Sequence, residues 1–270
     1  GSDIHLERGN ANLLMARIVE QVMRGTAARL VSFDGGTKDN AITRECKAVL
    51  AFADASDAQR GADIARDVAA DISRELEVFD PSFACAVEVA DGVALDAMDT
   101  KDSWALISLI RLAPNGVLRR NVAADGFVEV SSNLGVVVTE EGSVTVLLSP
   151  RSSIASLQEE IKERIQTLAD TLGFNVSFDN EYPGWSYAEH SHVREVFQQS
   201  YRELFGTELK IESIHAGLEC GLFAEALPGL DAIAVGPTLA NVHTPDESMS
   251  LDSAERFYEL LVDVLARLAA

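Results

Sequence analysis

The chain has 270 residues, 47% hydrophobic and 24% charged, with a formal net charge of −21, a composition typical of a globular protein with one large domain or two ordinary ones. The acidic balance argues against nucleic acid and anionic membrane surfaces as partners, because clustered Lys and Arg bind both of these. Three scattered cysteines without a CxxC pair are too few for a disulfide framework, and the chain shows neither a signal peptide nor an apolar run of the roughly 18 residues that a spanning helix needs, so we expect a cytoplasmic protein.

Helix and strand patterns follow one another over the first 182 residues. Apolar residues spaced three and four apart predict amphipathic helices, which cover residues 10–24, 57–77, 101–112 and 154–172. Alternating or continuous short apolar runs predict strands, at residues 29–33, 46–53, 83–89, 128–138, 144–148 and 175–178. The strands at 128–138 and 144–148 are expected to form a hairpin. No internal repeat is detectable in the sequence.

The sequence Tyr-Pro-Gly-Trp at residues 182–185 marks the clearest break in the chain. Beyond it, strands and helices alternate tightly, as in the βαβ units of a parallel sheet. The helices are predicted at 192–205, 218–226 and 252–268, and the strands at 209–214 and 232–235. Sites in such sheets lie in the loops that follow the strands. We therefore expect two units, residues 1–182 and 183–270, with candidate site loops at 214–217 and 236–247.

Five histidines limit where a metal ion could be held. His243 stands in an irregular loop with Asp246 and Glu247 nearby, an arrangement that could bind a divalent metal through the imidazole nitrogen. A surface histidine beside the last helix explains the pattern equally well, since the two acidic residues could simply cap that helix. His190 and His192 have the spacing of a metal pair, but their polar surroundings favour a solvated loop.

Other catalytic patterns find little support. Gly-x-Ser-x-Gly is absent, and Cys220 has no obvious helper for nucleophilic catalysis. Glu140 and Glu141 form one adjacent acidic pair in the hairpin turn, and Glu159 and Glu160 form another on a highly charged helix. Both pairs are expected to face solvent rather than to act as catalytic carboxylates.

The stretch IHAGLECGLF at residues 214–223 is long and unusual. With AVGPT at 234–238 and HTPDE at 243–247, it resembles the carboxyl-terminal catalytic segment of the Xaa-His (aminoacyl-histidine) dipeptidases. Further blocks similar to this family occur upstream in the same order. They lie at residues 4–5 with 9–12, 35–41 with 44–45, 114–116, 132–135 and 182–185. The resemblance therefore extends over essentially the whole chain.

This resemblance implies an α/β fold in two parts. Residues 1–182 would form an inserted α+β lid domain, through which the protein forms a homodimer. Residues 183–270 would form the closing βαβ part of the catalytic domain of a di-metal exopeptidase. The implied activity is hydrolysis of short peptides of the Xaa-His type with two divalent metal ions, zinc being the expected metal.

The resemblance also implies roles for four residues. His243 matches the last metal-ligand histidine of the family. Asn40, Arg151 and Gly217 match positions that contact the substrate, the latter two near its carboxylate. The chemistry is suitable, because arginine offers a fixed fork for a carboxylate and an asparagine amide can polarise a scissile carbonyl.

The sequence also departs from the family in its metal ligands. It contains no His-x-Asp motif, and neither Glu pair has the context of the family's general base. A single ligand cannot hold a pair of metal ions, so we expect an inactive chain that represents the second half of a longer enzyme. Two alternatives remain: a non-catalytic dimerisation or peptide-binding module derived from such a peptidase, and another amidohydrolytic enzyme of the superfamily.

Overall fold

A computed structural model of the chain describes residues 4–6, 8–90, 96–121, 126–179, 184–185, 188–211, 219–242 and 246–269. The chain divides into two compact units, Gly1–Asn180 and Glu181–Ala270. Within the described residues, the first unit combines an antiparallel sheet with helices, and the second consists mainly of helices. The expected mixture of helices and strands is confirmed.

The helices of the first unit begin and end at residues suited to those positions. They are α1 (Ala11–Gly25), α2 (Ala55–Leu76), α3 (Thr100–Leu112) and α4 (Ala155–Leu172). Asn10, Asp54 and Asp99 each accept a backbone N–H of the first turn of α1, α2 and α3, which satisfies donors that have no partner inside a helix. Gly173 ends α4 in the left-handed conformation. In the described residues, no helix combines the length and hydropathy needed to cross a membrane.

The sheet of the first unit is antiparallel throughout its described pairings. Its strands are β1 (Arg29–Gly35), β2 (Cys46–Ala51), β3 (Gly116–Asn121), β4 (Phe127–Glu140) and β5 (Ser143–Ser152). The long strand β4 is central. It pairs with β5 along one edge, and along the other edge it pairs first with β3, at residues 127–132, and then with β1, at Val137. Strand β2 pairs with β1. The sequence did not predict β3, which is short and contains two adjacent arginines.

The core lies between the sheet and the helices. Its fully buried side chains include Leu30 and Phe33 of β1, Leu134 and Val137 of β4, Val19 and Val22 of α1, Ile72 of α2, and Ile107 and Ile110 of α3. A smaller cluster joins Val130 of β4 to Ile161 and Ile165 of α4. Burial of one such side chain stabilises a fold by about 1.5–3 kcal/mol relative to its exposure. These contacts fix the sheet against its helices.

The order of elements occurs twice in the first unit. A helix, an antiparallel strand pair and a second helix follow one another as α1, β1, β2 and α2, and again as α3, β4, β5 and α4, with β3 added before β4. The inner strands of the two halves, β1 and β4, pair antiparallel at Gly35 and Val137. The two-fold arrangement was not detectable in the sequence, because the halves differ in residues and in the length of the strand connections.

Two predicted strands of the first unit, at 83–89 and 175–178, are wrong as strands. Their burial alternates as predicted, with Phe83, Cys85 and Val87 half-buried and the residues between them exposed. The segment 175–178 alternates in the same manner. A strand is defined by hydrogen bonds to a neighbour, and within the described residues these segments have no partner strand. The alternation of apolar and polar residues therefore predicted which side chains turn inward, but it did not predict whether the segment pairs with another strand.

The second unit contains helices α5 (His192–Phe205), α6 (Glu219–Ala226) and α7 (Leu251–Leu268), with a short antiparallel pair of strands, β6 (Leu239–Ala240) and β7 (Ser248–Met249). Helices α5 and α7 pack through Phe197, Leu260 and Val264. The buried strand predicted at 232–235 is wrong: no strand forms there, and Val235 is exposed. An apolar strand is buried by its neighbours in a parallel sheet, and no described residues supply them. The strand predicted at 209–214 is not formed at 209–211, and its remainder lies outside the described residues.

Candidate functional site

Residues 36–43, within the connection between β1 and β2, include Asn40 and lie against β4. Gly36 has a φ of +81°, a conformation that L side chains rarely adopt, and a Cβ there would overlap the carbonyl oxygen of Gly135. A Cβ on Gly135 would in turn overlap the backbone of Asp39. Because neither glycine has a Cβ, the backbone of the loop can pack directly on the backbone of β4. We call residues 36–43 the Asn40 loop.

Asn133 of β4 binds the Asn40 loop directly. Its side-chain Nδ2 donates hydrogen bonds to the carbonyl oxygen of Asp39 at 2.7 Å and to that of Ala41 at 2.8 Å. Asn133 is only 4% exposed, and its Oδ1 has no hydrogen-bond partner within the described part of the chain. The asparagine thus holds the backbone on both sides of Asn40.

Thr43 holds the end of the same loop. Its hydroxyl donates to the carbonyl oxygen of Gly135 at 2.7 Å and accepts from Asn12 Nδ2 at 3.2 Å. Asn12 Nδ2 also approaches the carbonyl oxygen of Gly35 at 3.3 Å. Thr43 and Asn12 are 3% and 0% exposed. The Thr43 hydroxyl and the Asn12 Nδ2 are thus satisfied in the interior, whereas the buried Asn12 Oδ1 has no hydrogen-bond partner among the described residues.

Asn10 ties the start of α1 to β4. Its Nδ2 donates to the carbonyl oxygen of Leu134 at 2.9 Å, while its Oδ1 caps α1 by accepting the N–H of Asn12. Asn115 accepts the N–H of Leu134 at 2.9 Å. A cavity of about 300 Å³ opens beside these groups, and its lining includes Asn10, Asn115, Asn133 and Ile42 of the Asn40 loop. The loop therefore borders a space at the small end of the range for ligand pockets.

Arg151 lies on β5 and is half-buried. In the β4–β5 ladder it is opposite Ser131, and Ser149 is opposite Asn133. Residues opposite each other, or two apart along a strand, lie on the same face of a sheet. Arg151 and Asn133 therefore share the face on which the Asn40 loop lies. The structure brings the strand position of Arg151 and the loop of Asn40 together.

The other two proposed site residues, Gly217 and His243, lie outside the described residues. His190 and His192 are exposed. His192 is the first residue of α5, and His190 lies two residues before it. In the part of the chain that is described, no three His, Cys, Asp or Glu side chains form a group that could hold a metal ion.

Cys46 and the two acidic pairs do not form an alternative catalytic centre. Burial raises the pKa of Cys46 to about 12, so its thiol is protonated at neutral pH and is a poor nucleophile. Glu140, Glu141, Glu159 and Glu160 are all exposed, which confirms that both acidic pairs face solvent.

Asn133, Thr43, Asn10 and Asn12 were not among the site residues predicted from the sequence. Two of the blocks that carry the dipeptidase resemblance, residues 9–12 and 132–135, contain three of these residues. A signal was therefore present, because each block places asparagine directly before a run of apolar residues, at 13–15 and from Leu134 onward. Contacts over long sequence separations were needed to relate the blocks to Asn40.

Comparison with known proteins gives the family. Residues 14–267 match Peptidase family M20/M25/M40. The chain is 33% identical over 273 residues to the cytosol non-specific dipeptidase of Escherichia coli (strain K12), covering 100% of this chain and 55% of that protein. It is 34% identical to the aminoacylhistidine dipeptidase from Vibrio alginolyticus in its crystal structure, with a TM-score of 0.89 over 99% of this chain and 54% of that one. The chain thus spans about half the length of these relatives, and it belongs to Peptidase family M20/M25/M40.

Proposed function

We propose that the protein containing this chain hydrolyses dipeptides, with Xaa-His peptides as the preferred class. The observation that carries the proposal is the similarity of the whole chain to two dipeptidases at 33% and 34% identity. The name of the first relative supports a cytoplasmic location. In this proposal the reaction uses two divalent metal ions, with zinc as the expected metal and His243 as one ligand.

The chain is proposed to supply the lid domain, residues 1–182, and the closing part of the catalytic domain, residues 183–270. Its coverage of only 55% and 54% of the two dipeptidases supports this division of the parent protein. The second unit also exposes large apolar side chains, including Phe223, Leu251, Tyr258 and Leu265. Such a surface is typical of one that packs against another part of a protein.

Asn40 is proposed to contact the scissile peptide group of the substrate. An amide N–H aimed at a carbonyl oxygen stabilises the negative charge that develops there during hydrolysis. Such a donor is effective when its position is fixed before the reaction. The hydrogen bonds of Asn133 and Thr43 and the close approach of Gly135 support this role, because they hold the loop on both sides of Asn40.

Arg151 and Gly217 are proposed to bind the carboxyl terminus of the substrate. A guanidinium can donate two parallel hydrogen bonds to a carboxylate, and a glycine allows its backbone N–H to come close. The position of Arg151 on the sheet face that carries the Asn40 loop supports the assignment, since one extended dipeptide could contact both residues.

The proposal is tested by assaying the full-length gene product on Xaa-His dipeptides with zinc, manganese or cobalt. The full-length protein is expected to release the free amino acids, and the 270-residue chain alone is expected to release none. A folded full-length protein that hydrolyses no dipeptide with any of the metals would contradict the proposed activity. Hydrolysis by the isolated chain would contradict its expected inactivity.

A further inference from the structure

The orientation of the Asn133 side chain is fixed by its neighbours. Both N–H groups of the amide point to carbonyl oxygens, those of Asp39 and Ala41. If the amide turned over, its own oxygen would face two other oxygens and both hydrogen bonds would be lost. The buried Oδ1 has no hydrogen-bond partner among the described residues. The amide therefore keeps the orientation in which its nitrogen binds the loop, even though its oxygen makes no hydrogen bond to the described residues.

The two carbonyl groups that Asn133 holds lie on either side of Asn40. The carbonyl of Asp39 belongs to the peptide plane that contains the Asn40 nitrogen, and peptide planes are rigid. The carbonyl of Ala41 belongs to the peptide plane between Ala41 and Ile42, so Asn133 holds this plane as well. Two held planes leave the Cα of Asn40 little freedom to move. The contacts that Asn133 of β4 makes with the loop therefore determine the direction in which the Asn40 side chain leaves the backbone.

Gly135 completes this arrangement from the same strand. Because it has no Cβ, the backbone of Asp39 can pack on it. Thr43 then binds the Gly135 carbonyl oxygen at 2.7 Å. Asn133 and Gly135 are two residues apart on one strand, so a single rigid element supplies both a hydrogen-bonding and a steric constraint on the loop.

We propose that Asn133 is a positioning residue that holds the Asn40 loop in place for contact between Asn40 and the peptide substrate. The part of this inference that concerns substrate rests on the proposed function. Asn133 acts through the loop, by hydrogen bonds to its backbone.

The first experiment measures the loop itself. Asn133→Asp keeps the size of the side chain but replaces two donors by an acceptor that repels the carbonyls of residues 39 and 41. Trypsin cleavage after Lys38 or Arg44, which requires the loop to leave β4, is expected to accelerate at least about tenfold in the folded 270-residue chain. Asn175→Asp, at an exposed position, adds the same charge and is expected to leave cleavage unchanged.

Asn133→Asp could also unfold the first unit, so a second variant disturbs the loop differently. Gly135→Ala leaves the Asn133 side chain unchanged, and its added Cβ pushes the Asp39 backbone away. It should give the same loop-specific acceleration while thermal unfolding remains cooperative. Cleavage at Lys38 and Arg44 that stays at the wild-type rate in both folded variants would overturn the inference.

The second experiment links the loop to the reaction in the full-length protein. Asn133→Asp should lower kcat/KM for a dipeptide at least about tenfold, and the double variant with Asn40→Ala should lose no more than Asn40→Ala alone. Losses that multiply would show that Asn133 does not act through Asn40. If Asn40→Ala retains wild-type activity, the proposed substrate role of Asn40 fails, and the cleavage experiment alone decides whether Asn133 holds the loop.

Discussion

Arg151 and Asn133 lie one diagonal step apart in the β4–β5 ladder, Arg151 opposite Ser131 and Asn133 opposite Ser149. Diagonal neighbours on one face of an antiparallel pair are about 7–8 Å apart, within reach of a long side chain. The rigid ladder therefore keeps Arg151 at a fixed separation from the group that holds the Asn40 loop. The two proposed recognition groups, Arg151 and Asn40, are thus tied to the same pair of strands, Arg151 directly on β5 and Asn40 through the contact of its loop with Asn133 on β4.

We expect Arg151→Lys in the full-length protein to lower kcat/KM for free-acid dipeptides by at least about tenfold, or roughly 1.4 kcal/mol. Lysine keeps the charge but loses the planar fork that binds both carboxylate oxygens. A dipeptide amidated at its carboxyl terminus should be cleaved almost equally by the variant and the wild type. Arg164→Lys, at an exposed position of α4, provides the control. Unchanged rates on free-acid dipeptides would remove Arg151 from the site.

The helices could be predicted from the sequence because their signals are local. The helix predicted at 154–172 is found at Ala155–Leu172, and that at 192–205 is found at His192–Phe205. Strand pairing is not local, which is why 83–89 shows the predicted alternation of burial without a ladder. The same limit applies to the site. Asn40 and Arg151 were proposed from a resemblance to known proteins, whereas the contact of Asn133 with Asp39 spans 94 residues and leaves no pattern in the sequence.

The isolated chain is expected to bind no pair of zinc ions tightly, because His243 is the single proposed ligand and a metal pair needs several carboxylates and imidazoles. Isothermal titration calorimetry of the chain with zinc measures this directly. If zinc binds weakly through His243, the heat of that binding should disappear in His243→Ala. Two stoichiometric sites with sub-micromolar dissociation constants would contradict the proposed division of the metal ligands.

Residues 1–182 are expected to associate with a second copy, as the resemblance to the dipeptidase lid implies. Sedimentation velocity over a range of concentrations should show a shift from monomer to dimer. The matched control is the chain from residue 183 onward, since its exposed apolar side chains could cause association of another kind. A first unit that remains monomeric at the highest concentration would count against the lid assignment.

Gly36→Ala should destabilise the first unit more than Gly142→Ala does. Both glycines have positive φ, 81° and 77°, but a Cβ at Gly142 would meet nothing within 4 Å, while one at Gly36 would overlap the Gly135 carbonyl oxygen. Alanine in this conformation costs about 1–2 kcal/mol by itself, so the excess for Gly36 measures how closely the loop packs on β4. Urea unfolding of the two variants gives the comparison. Equal losses would mean that the loop is not packed against Gly135.

The stability of α5 should depend on pH through Asp231. The Ser191 hydroxyl at 2.6 Å and the Val193 N–H at 2.9 Å hold the pKa of the Asp231 carboxyl below its usual value, with the Ser191 hydrogen bond as the larger cause. Ser191 is also the N-cap of α5. A carboxyl group whose pKa is lowered by folding stabilises the fold above its unfolded-state pKa of about 3.9, and this contribution is lost as the pH falls through the folded pKa.

Amide exchange of residues 192–205 tests this dependence, because it reports the local opening of α5. Above about pH 4, Asp231→Asn should show lower protection than the wild type. Ser191 and Val193 donate to different oxygens of the carboxylate, and the amide nitrogen that replaces one of these oxygens cannot accept a hydrogen bond. The difference should shrink as the pH falls through the lowered pKa of the Asp231 carboxyl in the folded chain, where the wild-type carboxyl becomes protonated. Asp67→Asn, at an exposed position of α2, should leave α5 unchanged at every pH. A difference for Asp231→Asn that stays constant from neutral to acid pH would show that its hydrogen bonds to Ser191 and Val193 do not depend on the charge of the carboxylate.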